Sequence, residues 1–116
     1  MSPVVQKTLA DLRDRGGLHS DDIAEILSVA PATVARWMRG EAAPDLGTRT
    51  SIGQLHYIVE RLATTRSADE VSAWLHAALS GLTGATAIDL MRSGRIADVL
   101  AEVERLHPDG PARGGA

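Results

Sequence analysis

Cysteine and phenylalanine are absent, and the aromatic residues are one tyrosine and two tryptophans. Without cysteine there is no disulfide framework, no thiolate zinc site and no cysteine nucleophile, and a reducing compartment is permitted. The scarcity of aromatic and β-branched runs argues against sheets and leaves Trp37 and Trp74 as the bulkiest packing groups. No apolar run approaches the ~20 residues that a membrane-spanning helix requires. The start of the sequence lacks a charged-then-apolar leader, so the expectation is a soluble, cytoplasmic protein with no membrane partner. A surplus of positive charge is also lacking, since 12 basic and 15 acidic side chains leave a net charge of −3. A chain held to nucleic acid mainly by phosphate neutralisation tends to be basic, so any such surface here is small and local.

What is present is helical. A length of 116 residues with 44% apolar content suits one compact unit built from one or two small modules and excludes disorder for the body of the chain. Val5, Leu9 and Leu12 recur at helical spacing over 4–15, and Gly16-Gly17 ends that stretch. Asp45 to Arg49 reads as loop. A helix then runs from Thr50 or Ser51 to about Ala63 on the stripe Ile52, Leu55, Ile58, Val59 and Leu62. Ser67 with Glu70 forms a capping box for a helix that reaches Leu79 and buries Val71, Trp74, Leu75 and Ala78. Thr86 with Asp89 starts a short helix over 87–93, Gly94 ends it, and Arg95 to Leu106 is the last amphipathic helix. The Gly/Pro-rich 108–116 reads as a disordered tail. The fold class is therefore all-α.

The most legible stretch is Ser20 to Gly40. Its apolar spacing is helical on both sides of Ser28, and Pro31 stands where a second helix starts, since its missing N–H has no partner there in any case. This is the pattern of a helix-turn-helix, with Ser20 as N-cap, Ala24 at the close crossing, and Ile23, Leu27, Val29, Val34 and Trp37 inward. Asp21, Asp22 and Glu25 suit the positive end of the first helix. Ala30 leaves the second helix without a side-chain cap. Ala32, Thr33, Ala35, Arg36 and Arg39 face out, small enough to approach a groove and positive enough to meet phosphate, with no acid between residues 31 and 39. Operator DNA is the implied ligand. With so small a footprint, specific binding calls for a dimer that places two such helices about 34 Å apart.

Catalytic chemistry finds no support. His19, His56, His76 and His107 are scattered one per region, and the reading is that none has a second histidine or a carboxylate at ligand spacing. No serine–histidine–acid set is evident. Gly81 and Gly84 lack the preceding strand and following Lys-Ser/Thr of a phosphate loop, and read as helix C-caps. The expectation is no enzyme, no cofactor and no metal. Trp37 reads as core, and Trp74 reads as core with a partner-facing edge as the minority alternative.

The order of these features resembles the Xre/MbcA/ParS toxin-binding-domain antitoxins. The resemblance is carried by TVARWMRGEAAP, by LHYIVERL, by Trp74-Leu75, by the block Ala87-Ile88-Asp89-Leu90-Met91-Arg92-Ser93-Gly94-Arg95, and by Asp98-Val99-Leu100. It departs in having Ala87 where proline is usual and a longer exit after Leu106. The resemblance implies a DNA-binding region over 1–49, a linking helix over 50–66 and a small toxin-binding helical module over 67–107. It also implies a cognate toxin partner of the RES-domain, NAD⁺-consuming kind, repression of a shared operon, and a homodimer or a higher hetero-oligomer with the toxin. Carried over by position, the toxin-binding residues are Trp74, Leu75, Arg92, Gly94, Arg95, Leu106, His107 and Gly110. The rival is a stand-alone helix-turn-helix repressor whose C-terminal helices only dimerise.

Overall fold

The computed structural model describes residues 3–77 and 84–106, and every regular element among them is an α-helix. These are α1 (Pro3–Gly16), α2 (Ser20–Leu27), α3 (Pro31–Met38), α4 (Leu46–Ala63), α5 (Ala68–His76), α6 (Ala87–Arg92) and α7 (Ile96–Leu106). None is long and apolar enough to cross a membrane. The long α4 is the spine: it packs along α1 and also touches α2, α5 and α7. The fully buried Leu9, Leu12, Ile23, Val34, Leu55, Ile58, Leu62, Leu75 and Val99 belong to one cluster that draws on every helix. Helices this short are marginal alone, so this shared apolar burial is what holds them.

Several helix limits follow the expected chemistry. In α5, Ser67 Oγ accepts from the Glu70 N–H at 3.3 Å and Glu70 accepts from the Ser67 N–H at 2.8 Å. Thr86 and Asp89 make the same reciprocal pair at the start of α6, at 3.0 and 3.4 Å. Pro31 opens α3 and Ala30 offers it no side-chain acceptor. Gly94, with φ 82°, turns the chain between α6 and α7 while the Arg95 N–H reaches back to the Leu90 carbonyl at 2.8 Å. This is a Schellman closure that satisfies a carbonyl α6 would otherwise leave open.

Other limits are corrected. The N-cap of α2 is His19, not Ser20: the Asp22 carboxylate accepts from the His19 N–H at 3.0 Å, and the Ser20 hydroxyl lies 3.8 Å from the Met38 sulfur. The segment read as loop is the first turn of α4. Asp45 caps it by accepting from the Thr48 N–H at 2.8 Å, which holds the Asp45 carboxyl below its ordinary range. α5 stops at His76, because Ala77 turns extended and its N–H closes a tight last turn on the Trp74 carbonyl at 3.2 Å. Leu79, Ala78, Gly81 and the 108–116 tail lie outside the described residues. In the α2–α3 unit Ile23, Ala24, Val34 and Trp37 are buried as expected, whereas Leu27 and Val29 are only half-buried. Ser28 takes a left-handed φ of 60° at the turn, a conformation costing a non-glycine residue about 1 kcal/mol.

Candidate nucleic-acid and partner interfaces

α3 presents Ala32, Arg36 and Arg39 to solvent, with Thr33 and Ala35 half-buried beside them. No acid lies between residues 31 and 39, but one reaches Arg39 from just beyond them. α3 ends in a closure at Gly40, φ 75°, in which the Glu41 N–H bonds the Arg36 carbonyl at 2.9 Å. That turn folds Glu41 back onto the helix, where its two carboxylate oxygens fork Arg39 at 3.0 and 3.1 Å. Arg39 holds the Glu41 carboxyl below its usual range. Arg36 makes no ion pair among the described residues, although its charge also helps to hold the Glu41 carboxyl down. Glu41 lies beyond the helical pattern, and only the turn at Gly40 shows that it returns to Arg39.

The residues carried over as toxin-binding separate into three places. Leu75 is fully buried, and Trp74 is half-buried against the core. Arg92, Gly94 and Arg95 are exposed together at the α6–α7 break. Leu106 is 36% exposed at the far end of α7, about 15 Å away along the helix. His107 and Gly110 lie outside the described residues.

Neither arginine at the break is idle. Arg92 Nη1 pairs with Glu25 of α2 at 2.9 Å and Nη2 with Asp89 at 3.1 Å, while Arg95 pairs with Asp98 at 2.6 Å. An open cleft of about 360 Å³ lies beside the break. Its lining includes Ile26 and Leu27 from α2, Thr48 from α4, and Met91, Arg92 and Ile96. No sequence signal announces this cleft, since α2 and the break are joined only by the fold.

The acids of α2 therefore do more than cap a helix. Glu25 holds Arg92, and Asp22 Oδ1 lies 3.3 Å from His76 Nε2 at the end of α5. His76 Nδ1 donates to the Ser72 carbonyl at 2.8 Å, so Nε2 can donate to Asp22 only in the imidazolium form. The Ser72 carbonyl first, and Asp22 after it, raise the His76 pKa above its ordinary value. A raised folded pKa stabilises fully below the unfolded value near 6.5 and loses that stabilisation as pH rises through the folded value. With His76 47% exposed, solvent screening keeps the contribution under about 1 kcal/mol. We expect the difference in urea midpoint between the wild type and His76→Gln to be largest at pH 5.5 and to shrink by pH 8.5. A difference independent of pH would assign His76 a packing role only.

No protein-family model matches the chain. The mycobacterial cidal antitoxin MbcA of Mycobacterium tuberculosis is 26% identical over 103 residues, covering 89% of this chain and 91% of the relative. MbcA of Mycobacterium bovis matches to the same extent. A chain of the crystal structure of the M. tuberculosis MbcT–MbcA toxin–antitoxin complex superposes with a TM-score of 0.75 at 26% identity, over 89% of this chain and 93% of that one. An antitoxin is a regulatory binding protein, in agreement with the expectation that this chain is not an enzyme. Over 89% of its length in sequence, and in the all-helical fold of its described residues, the chain is homologous to the mycobacterial cidal antitoxin MbcA.

Proposed function

We propose that this chain is the antitoxin of a type II toxin–antitoxin pair, that it binds and inhibits a RES-domain, NAD⁺-consuming toxin, and that it represses their shared operon as a dimer or a larger assembly with the toxin. The observation that carries this reading is the match to MbcA and to the toxin–antitoxin complex over about nine tenths of the chain. Residues 1–49 serve the operator, 67–107 serve the toxin, and 50–66 links them. The α2–α3 unit acts as a helix-turn-helix. Arg36 meets phosphate, Ala32, Thr33 and Ala35 approach the groove, and Arg39 joins once DNA competes with Glu41. The toxin meets the α6–α7 break and the end of α7.

Arg92 and Arg95 must exchange partners at that surface, giving up Glu25, Asp89 and Asp98 for toxin carboxylates. Each exchange swaps one exposed ion pair for another, so the net gain is of the order of a rim contact, about 1 kcal/mol.

The test is co-expression with the neighbouring open reading frame. Expression of the neighbour alone is expected to arrest growth and deplete NAD⁺, and this chain to restore both. Arg36→Ala/Arg39→Ala should still rescue growth while losing operator binding in a gel-shift assay. An innocuous neighbour, or arrest that this chain does not relieve, would leave the stand-alone repressor as the better account.

A further inference from the structure

The reading that no histidine has a carboxylate at ligand spacing is corrected by α4 itself. Glu60 stands four residues after His56, on the same side of the helix. α1 brings Asp11 to the same point, and one donor atom from each of the three residues lies within 4.8 Å of the others. His56 Nε2 is 3.2 Å from Asp11 Oδ2 and 3.5 Å from Glu60 Oε2. Ligands about 2.0–2.1 Å from a tetrahedral ion lie about 3.3–3.4 Å apart, so these separations are those of two edges of a zinc coordination tetrahedron.

All three side chains are half-buried: their bodies are held by the α1–α4 packing, and one side of the cluster is open to water. Two carboxylates and one imidazole form a mixed nitrogen–oxygen set. That set suits zinc and its transition-metal neighbours and is a poor match for the all-oxygen shells of magnesium and calcium.

We propose that Asp11, His56 and Glu60 bind one divalent transition-metal ion of the zinc class, with water as the fourth ligand, and that the ion clips α1 to α4. The cluster also carries its own competitor. Arg15 Nε lies 2.7 Å from Glu60 Oε2, the oxygen that faces His56. Lys7 Nζ lies 3.7 Å from Asp11 Oδ1 and leaves Oδ2 to the site. Metal binding must therefore displace Arg15 from Glu60 but need not disturb Lys7. This gives the site a signature that a plain ion-pair network lacks, because removing a cation should strengthen metal binding.

The test titrates zinc chloride into the full-length, tag-free, chelator-treated chain at pH 7.5 by calorimetry, with cobalt(II) absorption reporting geometry. Saturation at one ion per chain and the intense visible bands of tetrahedral cobalt are expected. His56→Ala and the near-isosteric Glu60→Gln should each weaken binding by about tenfold or more, as loss of a ligand or of its orienting partner does. Arg15→Ala should tighten it severalfold, and His76→Ala should leave it unchanged. Circular dichroism confirms that each variant is folded, and Glu60→Gln decides the matter if His56→Ala is not. The proposal is overturned if zinc does not saturate, if binding survives Glu60→Gln, or if Arg15→Ala fails to tighten it.

Discussion

Trp37→Ala is expected to cost about 3–5 kcal/mol of folding free energy, read as a fall in urea midpoint at unchanged slope. The indole is 5% exposed and belongs to the same cluster as Leu55, Leu75 and Val99, so truncation removes apolar contact and leaves a cavity that fixed helices close only in part. A domain of this size has of the order of 5–15 kcal/mol in total. Trp74→Ala, by contrast, removes a half-buried ring and should cost roughly half as much.

The first variant also tests how the two halves are joined. With Trp37 removed, Trp74 is the only indole left and reports on α5. Because one cluster spans all the helices, Trp74 fluorescence and far-ultraviolet circular dichroism should lose their signals at the same lowered urea concentration. A Trp74 transition that stayed at the wild-type midpoint would mean that the C-terminal helices fold as a separate unit.

The features legible in the sequence are those decided within a few residues. The apolar stripe of α4, the Ser67–Glu70 and Thr86–Asp89 capping boxes, Pro31 at the start of α3 and the glycine after α6 are local, and each is found where spacing and side-chain chemistry put it. The start of α4 is local too, since Asp45 caps it from three residues before Thr48, yet 45–49 reads as loop. The end of α5 was not legible. Its residues could continue a helix, and no local signal marks Ala77 as the place where the backbone turns extended.

The same distinction applies to the candidate interfaces. Sequence patterning places Arg36, Arg39, Arg92 and Arg95 on the surface, and all four are there. What it does not supply is their partners. Glu41 reaches Arg39 through a turn, and Glu25 reaches Arg92 across 67 residues of chain. A cation already satisfied within the fold contributes to binding only the difference between two partners, and that difference decides how much each arginine is worth. His56 and Glu60 are the opposite case: their spacing was in the sequence, but Asp11, 45 residues from His56, turns the pair into a cluster.

Gly17→Ala is expected to destabilise the chain by about 3 kcal/mol, from two sources that a second glycine separates. Gly17 closes α1 with φ 62°, its N–H on the Arg13 carbonyl at 3.1 Å and the Leu18 N–H on the Leu12 carbonyl at 3.2 Å. A side chain held in that left-handed conformation costs about 1–2 kcal/mol. A Cβ there would also lie 2.7 Å from the Ala68 carbonyl oxygen and 3.0 Å from Ser72 Cβ. The first is backbone in the opening turn of α5 and cannot rotate away, so the α1–α2 corner and α5 must separate. Gly94 has the same handedness, φ 82°, and nothing within 4 Å of its would-be Cβ. Gly94→Ala should therefore cost only the backbone part, about 1 kcal/mol. The excess of the first variant over the second, read from urea midpoints in parallel, measures how tightly the α1–α2 corner is seated on α5. Equal losses at the two positions would mean that the corner yields without strain and that the close approach at Gly17 is not what holds α5 in place.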